Sequence, residues 1–202
     1  MKRYSLLIAI VSLFSLTAIS HAQDAVKTGA KGGLNFATIS GGDFDTRTGF
    51  VVGGFAKFGI PDSPLSIQPE ALYSQQGGER NGNQVRIDYI QVPVLFKFAL
   101  SQGQTIEPNV FAGPYAGLRI MAEQDGGTGG LLGSGTNIEN QTEQVDYGFA
   151  LGAGLDIEVG NSIFTMDARY NLGLNDVFTE QSGKHRVFSI TFGISLPSGD
   201  RR

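Results

Sequence analysis

Along most of the chain, large apolar residues alternate one for one with small or polar ones. Between Val145 and Val159 one parity carries Val145, Tyr147, Phe149, Leu151, Ala153, Leu155, Ile157 and Val159. The other carries Asp146, Gly148, Ala150, Gly152, Gly154, Asp156 and Glu158. Successive side chains of a strand point to opposite faces, so a period of two describes a ribbon with one oily and one polar side. The same split sets Phe164, Met166, Ala168, Tyr170 and Leu172 against Thr165, Asp167, Arg169 and Asn171. It recurs as Phe188, Ile190, Phe192, Ile194 and Leu196 against Ser189, Thr191, Gly193 and Ser195. Phe50, Val52, Gly54, Ala56 and Phe58 likewise oppose a face that ends in Lys57. Helix-period stripes are scarce beyond the first 22 residues.

The alternation predicts eight strands, over 29–37, 49–59, 65–75, 86–99, 105–121, 145–159, 163–173 and 186–196. Their connections alternate between long (38–48, 76–85, 122–144, 174–185) and short (60–64, 100–104, 160–162). Long and short connections in strict turn are the pattern of an up-and-down barrel, with tight turns on one rim and loops on the other. Ten residues rising ~3.3 Å each and tilted by ~40° cover ~25 Å, the height of the apolar band of an outer-membrane barrel. The expected fold is therefore all-β, an eight-stranded antiparallel transmembrane β-barrel.

Which face meets lipid follows from size and charge. The apolar faces are long and bulky on almost every strand, and an eight-stranded interior could not hold so many Phe, Leu and Ile side chains. The opposite face is rich in Gly, Ala, Ser and Thr, which suits a crowded lumen. By parity it also collects Lys31, Lys57, Lys97, Arg119 and Arg169 against Glu70, Glu107, Asp156, Glu158 and Asp167. Five cations against five anions is the balance a poorly hydrated interior requires, because an unpaired buried charge is costly. These ten residues are the expected lumenal charge network. Aromatic residues at the strand ends, such as Tyr73, Tyr147, Phe188, Phe98 and Phe164, resemble two interfacial girdles. Pro69, Pro93, Pro108 and Pro114 fall inside expected strands, and each requires a bulge or a place near the rim because proline cannot donate to the ladder.

Composition sharpens this picture at a few points. Lys2 and Arg3, the apolar run Leu6–Ile19 and Ser20-His21-Ala22 form an export-signal pattern, with the barrel domain over 23–202. Removing residues 1–22 leaves 13 basic against 19 acidic side chains, a formal charge of −6, which disfavours a nucleic-acid partner. With no cysteine, neither disulfides nor a lipid-bearing N-terminal cysteine is available. Beyond the signal no apolar run approaches the ~20 residues of a membrane helix, a criterion that barrel strands evade because their hydropathy averages out. The 29 glycines sit inside alternating segments as well as in turns, as a tightly curved sheet requires.

Candidate chemistry is thin. His185, in "SGKHRV", reads as a solvated loop histidine; a catalytic role would need a fixed partner such as Asp176. One histidine beyond the signal and no cysteine make no transition-metal site, and the acidic loop residues Asp43, Asp45 and Asp125 lack a calcium-loop motif. "GAGLDIEVG" imitates a nucleotide fingerprint without the helix that should follow it. Asp167 and Arg169 read as an ion pair in the lumen before they read as an active site. No catalytic, cofactor-binding or metal-binding residue is expected, and no cofactor.

The stretches "IQVPVLFKFAL" (90–100), "VFAGPYAGLRI" (110–120), "YGFALGAGLDIEVG" (147–160) and "DARYNLGLNDV" (167–177) together resemble the PorT-type or "porin family" outer-membrane barrel proteins of Bacteroidetes. The resemblance spans nearly the whole chain after residue 22. It implies an eight-stranded barrel of the OmpA/OmpX kind in a Gram-negative outer membrane, and a family in which some members are implicated in protein secretion and gliding. The leading expectation is a monomeric scaffold in contact with lipid and lipopolysaccharide, meeting protein partners through its loops or rim. No open pore is expected, since eight strands enclose only enough room for side chains. The alternatives are a small-solute channel, an outer-membrane enzyme and a soluble periplasmic barrel that carries a ligand inside.

Overall fold

The computed structural model describes residues 26–40, 45–80, 83–125, 136–137, 144–175 and 183–197, and the statements below concern those residues. Nine strands form: β1 Val26–Ile39, β2 Arg47–Gly59, β3 Leu65–Arg80, β4 Asn83–Ala99, β5 Ile106–Asp125, β6 Thr136–Asn137, β7 Val145–Val159, β8 Ser162–Gly173 and β9 His185–Pro197. Eight of them pair antiparallel in sequence order, and β1 pairs with β9 to close the ring. β6 is a two-residue ribbon that pairs with Glu123 and Gln124 near the end of β5. The eight expected strands are thus all present, in a closed antiparallel barrel.

The turns close as their residues dictate. Gly160 takes a left-handed conformation (φ 63°) between β7 and β8, and Gly103 does so (φ 73°) between β4 and β5. The expected loop over 76–85 is instead mostly strand. β3 and β4 stay in register out to Arg80 opposite Asn83, and β5 runs on to Asp125. This stretch, "SQQGGERNGNQ", reads as loop because it has no apolar partner face. The ladder survives because backbone hydrogen bonds, not lipid, hold it there.

Parity sorts the faces as the alternation implies. In β7, Phe149 and Leu151 are 54% and 47% exposed, whereas Asp146, Ala150 and Asp156 are buried. In β9, Phe192 is 60% exposed and Ser189, Thr191 and Ser195 are buried. The oily face looks outward and the polar face lines the lumen.

Small lumenal residues make room for large ones across the ladder. Phe111 faces Gly152, where a Cβ would lie 2.5 Å from the ring, and Tyr115 faces Gly148, where a Cβ would lie 2.9 Å from it. With Leu95 and Ala150, Phe111 and Tyr115 form a buried apolar cluster inside the barrel.

The prolines sit where the ladder is interrupted. The β2–β3 register skips the partners of Gln68 and Pro69, the β3–β4 register those of Val92 and Pro93, and the β4–β5 register those of Gly113 and Pro114. Pro108 lies near the rim, and its carbonyl accepts the Leu100 N–H at 2.8 Å. A separate bulge opposite Asp88 and Tyr89 inserts Ile120 into β5. Three of the four prolines are therefore accommodated by gaps in the wall rather than at its rim.

Candidate functional site

The polar faces of six strands meet in one chain of charges across the lumen. Arg169 on β8 lies 2.8 Å from Glu70 on β3. Lys31 on β1 donates to Glu70 Oε1 at 2.9 Å and to Asp167 Oδ2, on β8, at 2.7 Å. Asp167 Oδ1 accepts from Lys97 on β4 at 3.2 Å. Lys97 is 3.8 Å from Asp156 on β7, whose Oδ2 accepts from Lys57 on β2 at 2.7 Å. The order is Arg169, Glu70, Lys31, Asp167, Lys97, Asp156, Lys57. Signs alternate at every step, so each ion has its opposite as nearest neighbour.

Burial is near complete along this chain as far as Asp156, and only Lys57 at its periplasmic end keeps appreciable exposure. The side chains of Lys31, Glu70 and Asp167 have no solvent exposure, and that of Lys97 has 1%. Ions so placed need hydrogen bonds as well as charge partners. Gln68 donates to Glu70 Oε1 at 2.7 Å. Aromatic faces supply further contacts: Lys31 lies 5.2 Å from the Phe55 ring centre, and Lys97 and Arg169 lie 5.3 and 5.6 Å from that of Phe111.

Seven of the ten residues that parity assigns to the lumen meet in this chain; three stand apart. Glu107 lies at the short-turn rim, where its Oε1 accepts the Gly103 N–H at 2.9 Å. Glu158 is half exposed at the same rim, 3.7 Å from Lys27. Arg119 stands opposite Tyr89, at the bulge toward the far end. Parity fixes a side chain's face but not its height, and both glutamates are too low to join the chain.

Sequence reasoning missed the rings of Phe55 and Phe111 and the amide of Gln68; each lies on the inward parity of its strand. It also placed His185 wrongly. His185 opens β9, is 2% exposed, and sits 3.2 Å from the Tyr89 hydroxyl with the two rings edge to face at 5.5 Å. It shares parity with Val187 and Ser189, so starting the strand one residue earlier would have turned it inward. Asp45 bonds through its backbone to Glu79, whereas Asp43 and Asp176 lie outside the described residues. Among the described residues no group of three or more His, Cys, Asp or Glu could hold a metal ion.

The family profile "Outer membrane protein beta-barrel domain" matches residues 21–179. This chain belongs to that family. Its place is the outer membrane. Curated proteins offer no match. Among solved structures it is similar to Neisserial surface protein A, with a TM-score of 0.60 and 16% identity over 85% of this chain and 96% of that one. It is also similar to OprG of Pseudomonas aeruginosa (TM-score 0.53, 12% identity, 87% and 98% covered). A major outer membrane protein of Thermus thermophilus matches comparably (0.52, 12%, 85% and 99%). At these identities the likeness concerns the fold.

For an outer-membrane β-barrel, the short-turn rim is periplasmic and the long-loop rim external. The two ends of the lumen then differ in kind. Toward the outside, Ile39, Val85, Ile87, Tyr89 and Ala122 form a buried apolar cluster. Below it Asn35 donates to Ser74 Oγ at 2.9 Å and accepts from Ser189 at 2.8 Å. Toward the periplasm, Lys57, Lys97, Asn109 and Asp156 line a cavity of about 200 Å³ that opens at the rim. On the outward parity of the β3–β4 hairpin, Arg86 pairs with the buried Asp88 at 2.6 Å, and Tyr73 donates to Asp88 at 2.6 Å.

Proposed function

We propose that the protein is a sealed, non-enzymatic outer-membrane scaffold whose work is done by surfaces presented at its rims. It is exported by the signal over residues 1–22 and acts as a monomer. The observation that carries this reading is the crossing chain of ions in which Lys31, Glu70 and Asp167 are wholly buried. A continuous water path past them would expose at least one. Opening a pore would mean separating buried opposite charges, which costs several kcal/mol per ion left unpaired. The belt of exposed Leu, Ile, Val and Phe side chains contacts lipid, and the hairpin of β3 and β4 extends past it toward the lipopolysaccharide headgroups. Partners meet the connections over 38–48, 76–85, 122–144 and 174–185; within the second, β3 and β4 stay paired out to Arg80 and Asn83.

The decisive experiment is conductance in planar bilayers. Purified, heat-modifiable protein is expected to give no steady openings, and steady large openings would overturn the sealed reading. The likeness to PorT-type proteins adds a narrower reading, a supporting part in protein secretion or gliding. Deleting the gene should then impair secretion or surface motility, with rescue by the full chain but not by a chain whose external connections have been replaced.

A further inference from the structure

The periplasmic cavity is built of charges that are already spent. Lys57 donates to Asp156 Oδ2 at 2.7 Å and Lys97 to Asp167 at 3.2 Å. Lys27 lies 3.7 Å from Glu158, and Glu107 accepts the Gly103 N–H. Among the described residues, each ion facing the mouth has an opposite charge or a donor within reach. What remains unsatisfied is hydrogen-bonding capacity rather than an unpaired charge. Asn109 is 3% exposed and lines the cavity, and neither its Nδ2 nor its Oδ1 has a partner. Asp156 Oδ1, also buried on the cavity wall, accepts no hydrogen bond. Buried polar atoms are satisfied in folded proteins by protein, water or ligand.

We infer that this mouth is a binding site for an uncharged, polyhydroxylated solute of about monosaccharide size. The orphan set is one donor beside one acceptor on Asn109, with a second acceptor on Asp156. Hydroxyl groups both donate and accept, so adjacent hydroxyls answer all three at once. An anion would meet Asp156 and Glu107, and a cation would meet Lys57 and Lys97, with no free counter-charge to repay either. At about 200 Å³ the cavity falls below the ~300 Å³ at which drug-sized pockets begin, which fits a single sugar ring rather than a longer ligand. The wall is preformed: Asn109 stands in register opposite Gly154, where a Cβ would lie 3.2 Å from its Oδ1. The inference does not depend on the lumen being sealed further up.

The test is a titration with D-glucose of the isotope-labelled chain in lipid nanodiscs prepared without glycoside detergent. The backbone amide signals of Ser66, Asn109 and Asp156 report on the cavity wall. Glucose, and equally myo-inositol, is expected to shift them saturably, while inorganic phosphate and arginine do not. Asn109→Leu should abolish saturation. Asn109→Asp, which keeps one acceptor and loses the donor, should weaken it by about ten-fold, as loss of one or two hydrogen bonds implies, and serves should the leucine variant not fold. Ser189→Ala, higher in the lumen, should leave it unchanged. Absence of saturation by both polyols, with only water cross-peaks at the Asn109 side chain, would mark a hydrated pocket and overturn the inference. So would a stronger response to phosphate than to glucose, or saturation that survives both Asn109 variants.

Discussion

The two ends of the lumen solve the same packing problem with different chemistry. The external end is closed by carbon: Ile39, Val85, Ile87 and Ala122 pack around the Tyr89 ring, which is braced by His185. The periplasmic half is closed by charge, in the chain from Arg169 to Lys57, and beneath that chain it stays open as a polar cavity. A barrel of eight strands has little lumen to fill, and on the proposed sealed reading either filling blocks it. The difference lies in what each filling does when perturbed. An apolar plug loses contacts a few at a time, whereas an alternating chain of buried ions fails at any link, because each ion removed strands its neighbours.

That contrast can be broken most forcibly at Asp167, which holds both Lys31 and Lys97. Asp167→Leu leaves two buried ammonium groups short of a partner and should cost about 3–5 kcal/mol, read from urea-induced unfolding in lipid vesicles. A loss below about 1 kcal/mol would mean that the lumen is wet enough to hydrate them. On the outer face, Leu151→Arg should cost ~2–4 kcal/mol by the same assay, against a small effect of its neighbour Ala150→Ser. Equal tolerance at the two positions would invert the assignment of faces.

A smaller effect is expected from overfilling. Gly152→Ala places a Cβ 2.5 Å from the Phe111 ring and should cost about 1–3 kcal/mol. Adding Phe111→Leu should recover part of that loss, and strict additivity of the two changes would show that they do not touch. The mildest case is the rim. Lys27 and Glu158 are 3.7 Å apart with side chains 31% and 52% exposed, and Glu158→Gln should change stability by less than ~1 kcal/mol. The contrast between Glu158 and Asp167, both acids on the inward parity, separates height in the barrel from face as the determinant of cost.

The same distinction explains what could be read from the sequence. β7, β8 and β9 are plain because lipid lies outside and small polar residues lie inside, so every second residue reports its surroundings. The outer halves of β3 and β4 are not plain. Beyond the oily belt both faces carry polar or small residues, as in Gln75, Gln76, Gly77 and Gly78, and the alternation that betrays a strand vanishes although the pairing continues. The membership of the lumenal charge face follows from parity, but its pairings do not. Lys31 meets Asp167 across 136 residues of sequence; that contact depends on strand tilt and stagger, which no local pattern encodes. Height is equally hidden, hence the displacement of Glu107 and Glu158 to the rim. His185 was hidden by a boundary one residue off, enough to turn a lumenal side chain into a loop residue.

The central claim is that the oily face of each ribbon meets hydrocarbon and its charged face is sealed inside. Because the chain has no cysteine, single cysteines can be placed one at a time from 147 to 157 and spin-labelled in lipid bilayers. Accessibility to oxygen, which partitions into lipid, should rise and fall with a period of two, high at 149, 151, 153 and 155 and low at 150, 152, 154 and 156. Positions 150, 152 and 154, above the periplasmic cavity, should be shielded from a water-soluble nickel chelate as well. A reversed phase, or strong chelate accessibility at the odd positions, would contradict the account.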